Sequence, residues 1–137
     1  LGSAASVHER KPRMIELETW LMPRLKAKVP TFGFCYGHQM LAYMFGGEVG
    51  YVSPDRAKLR GFREIQVSAT PAWQSGVGKI CVSHNEEVKT APACMSVLAT
   101  SSKIAIDGLA HRTLPVFSLQ SHPGSVPGIL AAVPVMR

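Results

Sequence analysis

Cysteine is scarce in this chain of 137 residues, which has three: Cys35, Cys81 and Cys94. None stands in a Cys-x-x-Cys pair or at a Cys/His ligand spacing, so no metal site is expected. The odd count argues against a disulfide framework and for a reducing compartment, the cytoplasm. Long apolar runs are missing as well. Nothing approaches the roughly 20 residues of a membrane span, and no charged-then-apolar leader opens the chain, so a soluble protein without a membrane partner is expected. A Walker-type phosphate loop is also absent, which leaves the chain no ATP site of its own for activating an acceptor. Negative charge is in deficit: 15 Lys and Arg stand against 9 Asp and Glu, a formal net charge of +6. The excess does not cluster, however. Cations are scattered from Arg10 to Arg137, often beside acids as in Glu9-Arg10 and Arg63-Glu64, and no aromatic-interleaved nucleic-acid motif accompanies them, so a solvated surface is expected and no nucleic-acid partner.

What is present suits one domain, since 46% hydrophobic content fills a single core at this length. Residues 1–137 are therefore expected to form one α/β domain. Pro12 to about Lys28 reads as a helix with a Met14, Leu17, Leu21, Leu25 stripe, early acids and late cations, and Pro23 predicts a kink or an early end. Val29 to Phe34 is a short apolar run, and Gly37 to Phe45 reads as a helix stopped by Gly46-Gly47. From Gly61 onward the pattern turns to β-type runs at Phe62–Ser68, Lys79–Ser83, Ser96–Ala99, Ile104–Ile106 and Val116–Gln120. Tyr51 to Arg60 is polar and reads as a loop. Helices first and many strands after predict an α/β sandwich whose sheet has one antiparallel region.

Between the apolar run and the second helix lies Gly33-Phe34-Cys35-Tyr36-Gly37. Gly-x-Cys-x-Gly is the spacing of a nucleophile elbow: the reactive residue sits on a tight strained turn, and the residues two before and two after must be small for strand and helix to pass. The turn puts the sulfur at a helix N-terminus, which favours thiolate, and aims the Tyr36 N–H at an oxyanion forming on attack. The same five residues also suit a cysteine that is merely a small buried hydrophobe, and at this point both readings stand.

The neighbouring residues carry a resemblance. Gly33-Phe34-Cys35-Tyr36-Gly37-His38-Gln39, followed by Leu41-Ala42 and Gly46-Gly47-Glu48-Val49, resembles the nucleophile region of class I glutamine amidotransferases. Gly2-Ser3 with Ser6-Val7 is similar to the family's glycine turn. Val82-Ser83-His84 is similar to the Ser-His step of the GMP-synthase-like group, and Gln120-Ser121-His122-Pro123 to its Q-x-H-P motif. These four motifs occur in the family's order over nearly the whole chain.

The resemblance implies a three-layer, flavodoxin-like sandwich with a mostly parallel central sheet, here incomplete at the N-terminus and lacking the usual first strand-helix unit. It implies that Cys35 attacks the side-chain amide of glutamine while His122 takes and returns the proton. Gly2 and Tyr36 would line the oxyanion hole, although Ser3 is an alternative to Gly2. Gln39 would contact the glutamine, and the backbone around Ser83 and His84 would hold its α-amino and carboxylate groups. Ammonia would pass to a synthetase domain or subunit as a separate partner, unless the domain is a stand-alone hydrolase, and no cofactor is implied. His38 reads as packing, and His8 and His111 as surface residues.

One departure bears on activity. After the His-Pro step the family has Glu, which orients the base, whereas this chain has Gly124. In a serine triad, loss of that carboxylate lowers the rate on the order of 10⁴-fold, and a preformed thiolate would lose less. Three alternatives follow: Glu86 or Glu87, otherwise ordinary solvated loop acids, takes its place; a water does so; or the domain only binds a ligand or a partner.

Overall fold

The computed structural model describes residues 5–71 and 74–122. A 3₁₀ turn at Val7–Glu9 opens it, capped by Ser6, whose hydroxyl accepts from the His8 N–H, while the Glu9 carboxylate accepts from the Ser6 N–H. Helix α1, Pro12–Lys26, starts on a proline, whose fixed φ suits a first position that needs no donor. It buries Met14, Leu21 and Leu25, with Leu17 partly covered, the stripe the periodicity predicts. Pro23 lies within the helix without ending it. The stop comes at Lys28, at φ 64°, after which the Val29 N–H donates back to the Arg24 carbonyl at 3.1 Å.

Strand β1, Thr31–Phe34, leads directly into α2, Tyr36–Met44. Gly46, at φ 95°, ends α2, and the Gly47 N–H donates to the Ala42 carbonyl. There follow β2 (Glu48–Tyr51), β3 (Leu59–Val67), β4 (Gly76–His84), β5 (Glu86–Thr90), β6 (Met95–Thr100), β7 (Gly108–His111) and β8 (Val116–Leu119). The main sheet has the order β1-β8-β7-β6-β3-β4, and β2 pairs with β5 in a small separate ribbon.

The fold is α/β, as expected, but the sheet is mixed where a mostly parallel one was anticipated. Only β1 and β8 run parallel among the described pairs, with Thr31 opposite Val116 and Phe34 opposite Leu119. The remaining neighbours are antiparallel: β3 and β4, β6 and β7, and β7 and β8 are consecutive or closely linked strands, where parallel neighbours need long crossovers, and β3 also runs antiparallel to β6. Two apolar clusters form. One packs α1 and α2 with Met95, Leu109 and Val116; the other gathers Ile65, Val67, Ile80, Val82, Leu98, Ala110 and Leu119. Alternation along β7 and β8 sends adjacent residues to different clusters, so they occupy opposite faces of the sheet. Both helices belong to the first cluster; among the described residues the second face carries no helix.

Candidate active site

Cys35 is the hinge between β1 and α2, at φ 51° and ψ −107°. A non-glycine residue at such angles stores about 1–3 kcal/mol and is held by its surroundings. Its N–H donates to the Leu119 carbonyl at 3.0 Å, which ties the elbow to the end of β8, and its carbonyl accepts the first helical bond from Gln39. The glycine at position 33 is required by packing: a Cβ there would lie 2.7 Å from Gly37 backbone atoms and from Leu41 Cδ1. Strand and helix pass too closely for any other residue, as the elbow spacing predicts.

The sulfur is buried, 5% of the residue remaining accessible. The Gln120 side-chain amide donates to it at 3.7 Å, and the thiol faces the Ser83 carbonyl at 4.0 Å. Burial raises the thiol pKa; the Tyr36 N–H, the Gln120 amide and the charge of Lys58 act in the opposite direction without cancelling it. The helix N-terminus was expected to favour thiolate, and burial acts against it.

Around the sulfur lies a polar cleft lined by Ala5, Cys35, Gln39, Lys58, Ser83, His84, Asn85 and Glu86, with a volume of ≈ 40 Å³. At roughly 10–15 Å³ per water-sized group, that is room for about the three heavy atoms of a carboxamide. Gln39 donates its amide to the Glu86 carbonyl at 3.0 Å and to Gln120 Oε1 at 3.2 Å. His84 Nδ1 meets the same Glu86 carbonyl at 2.7 Å. Larger clefts lie elsewhere, one of ≈ 490 Å³ beside His111 and one of ≈ 260 Å³ beside Arg63, but neither is lined by a cysteine.

Cys35, Tyr36, Gln39, Ser83 and His84 are thus brought together. His122 follows β8, half-buried, with its N–H donating to the Cys81 carbonyl at 2.8 Å, so the chain bearing it runs beside β4 just before Ser83. Gly2, Ser3 and Gly124 lie outside the described residues.

Two readings change, those of Glu86 with Glu87 and of His111. Glu86 and Glu87 sit on a strand, not a solvated loop: Glu86 is buried and its carboxylate accepts from the Ser6 hydroxyl at 3.0 Å, while Glu87 pairs with Lys89. Glu86 is thereby engaged with the N-terminal turn. His111 is half-buried against Phe45, and its Nδ1 accepts from the N–H groups of Thr113 and Leu114, so it caps a turn. His8 is exposed, as expected of a surface residue, and donates to the Val49 carbonyl at 2.7 Å. His38 is a core residue, receiving the Ser118 hydroxyl on Nδ1 and donating from Nε2 to the Ile106 carbonyl. Sequence reasoning gave no role to Gln120, Lys58, Arg63 or Asp107. For Arg63 a signal existed, a charged residue in phase with Ile65 and Val67 on an alternating strand.

The family model described as glutamine amidotransferase class-I matches residues 6–134. A glutamine-hydrolysing GMP synthase subunit from Methanocaldococcus jannaschii is 32% identical over 102 residues, covering 72% of this chain and 53% of that protein. The corresponding Pyrococcus abyssi protein is 35% identical over 98 residues, covering 69% and 50%. The chain therefore spans about half the length of these relatives. Among solved structures, a glutamine amidotransferase from Methylobacillus flagellatus superposes with a TM-score of 0.78 at 21% identity, covering 95% of this chain and 52% of that one. A putative GMP synthase subunit from Thermoplasma acidophilum gives 0.73 at 22% identity, covering 89% and 60%. At these identities the superpositions establish likeness of fold.

Proposed function

This chain belongs to the class-I glutamine amidotransferase family, and on that premise we propose that it hydrolyses the side-chain amide of glutamine through a Cys35 thioester. One observation carries the reading: the Cys35 sulfur sits on a strained elbow, receives an N–H from Gln120, and borders a cleft of carboxamide size lined by Gln39, Ser83 and His84.

His122 takes the thiol proton as the sulfur attacks the amide carbon. The Tyr36 N–H, with Gly2 or Ser3, stabilises the oxyanion that forms. Collapse of this intermediate breaks the C–N bond, the proton returns to the leaving nitrogen, and ammonia departs. Water then cleaves the thioester, freeing glutamate and the thiol. Burial raises the thiol pKa, which works against spontaneous loss of its proton and gives the base its part in the first step. Gln39 contacts the substrate, and the Ser83-His84 backbone takes its α-amino and carboxylate groups.

Ammonia passes to a synthetase domain or subunit, a reading supported by relatives that are glutamine-hydrolysing GMP synthase subunits. Residues 1–137 act as one amidotransferase-type domain that needs no cofactor and works in a reducing compartment such as the cytoplasm, where three free cysteines persist. No helix among the described residues is long and apolar enough to cross a membrane.

The second reading, a domain that binds but does not hydrolyse, is favoured by Gly124 alone. A diazo-ketone analogue of glutamine separates the two. The enzyme is labelled once, at Cys35, as read by peptide mass; slow or absent labelling supports the binding module.

A further inference from the structure

Arg63 and Asp107 form a buried ion pair in which the guanidinium donates from Nε and Nη2 to the two carboxylate oxygens. The Arg63 side chain is 7% accessible and Asp107 fully buried. Nη2 also meets His84 Nε2 at 3.1 Å. Arginine has no acceptor and stays charged, so this contact requires a lone pair on Nε2. His84 is then neutral with its proton on Nδ1, where it donates to the Glu86 carbonyl at 2.7 Å. Gln39 donates to the same carbonyl and to Gln120 Oε1, and Gln120 donates to the Cys35 sulfur. The path closes on itself, because the Gln120 N–H donates to the Asp107 carbonyl at 2.8 Å.

We infer that Arg63, held by Asp107, is a positioning residue for the Cys35 site: it fixes the tautomer of His84 and, through the Glu86 carbonyl and Gln39, the direction of the Gln120 amide toward the sulfur. The donors of this ring find their acceptors without rotation of a side chain, and each bond fixes the group making the next. A buried pair of this kind is weak as a source of stability but effective in specifying one arrangement. Burial first, and then the charge of Arg63, lower the pKa of His84, against the Glu86 carbonyl and Asp107. With Nε2 taken by Arg63 and Nδ1 by the Glu86 carbonyl, neither ring nitrogen of His84 is available to the reacting atoms, and the transfer of the proton falls to His122.

The inference rests on Cys35 being the nucleophile, but it is tested on the thiol and the imidazole instead of on turnover. In ¹⁵N-histidine NMR of the wild-type chain, His84 shows a protonated Nδ1 and a bare Nε2. An Nε2–H tautomer or an imidazolium near neutral pH overturns the inference, whether or not any variant folds. The second arm measures iodoacetamide alkylation of Cys35 against pH. In Arg63→Met/Asp107→Leu, which removes both charges together, the titration midpoint rises by about half a pH unit, the contribution of one neutral donor. In Arg63→Lys, which keeps the charge but not the fork, it rises by less. A folded double variant with the wild-type midpoint overturns the inference. Absence of ammonia release by the wild type, with the expected tautomer and the expected midpoint shift in the variants, would count against the amidotransferase reading alone.

Discussion

The Gln120 side-chain amide donates to the Cys35 sulfur at 3.7 Å, from a residue with no accessible surface. Gln120 therefore opposes the desolvation that raises the thiol pKa. Gln120→Leu removes this donor and leaves the Gln39 amide without one of its acceptors. The expected outcome is a stability loss of about 1–3 kcal/mol in urea melts, from the unsatisfied buried group. Cys35 alkylation at neutral pH should also slow several-fold. Unchanged alkylation kinetics in the folded variant would show that the contact does not act on the sulfur.

Gly33→Ala tests the close passage of β1 and α2. Its Cβ meets main-chain atoms of Gly37, which cannot rotate away. Stability should fall by about 1–3 kcal/mol, as for other overpacked sites. Labelling of Cys35 by the diazo-ketone should fall further than stability alone explains, because the elbow itself is displaced. A variant as stable and as reactive as the wild type would contradict the packing account.

How far these features were legible in the sequence depends on how local each one is. The α1 stripe, the α2 stop at Gly46-Gly47 and the Gly33–Cys35–Gly37 elbow follow from periodicity and backbone sterics within a few residues, and they appear as expected. Strands β2 and β5 were missed because each is short and polar on one side, and their pairing brings together segments far apart in sequence. The same pairing makes Glu86 a buried strand residue. Ile104 and Ile106 were read as a strand but are buried in a turn, where the Ser101 N–H donates to the Ile104 carbonyl. Apolar residues can be buried without joining a ladder. Arg63 and Asp107 are distant in sequence, and no local pattern announces that they meet.

The fold should weaken in mild acid through His38. Burial lowers its pKa to about 3, against the bond to the Ile106 carbonyl. An unfolded histidine protonates near 6.5, so between pH 6.5 and 3 the unfolded chain takes up a proton that the fold excludes. Stability therefore decreases as pH falls through that window and is unaffected above it. By pH 5 the loss should be about 2 kcal/mol, from the separation of that pH and 6.5 at about 1.4 kcal/mol per unit. Depressed His84 adds to it in the same direction. His38→Gln, which can still accept from Ser118 and donate to Ile106, should flatten the dependence. Urea midpoints equal at pH 6.5 and 5 in the wild type would contradict this assignment.

Gly124→Glu supplies the carboxylate that the resemblance leads one to expect behind His122. Ammonia release should rise by about tenfold or more, up to the roughly 10⁴-fold that the orienting carboxylate is worth in a serine triad. A variant no faster than a fully active wild type would show that Gly124 is not a defect and that another group orients the base.

The central claim is that Cys35 is a nucleophile acting on glutamine, and the most direct test is ammonia release from glutamine by the wild type and by Cys35→Ala, the latter checked for folding. Wild-type protein should release ammonia, with release by the variant lower by about 10³-fold or more. Equal release by the two, or none from either, would contradict the claim.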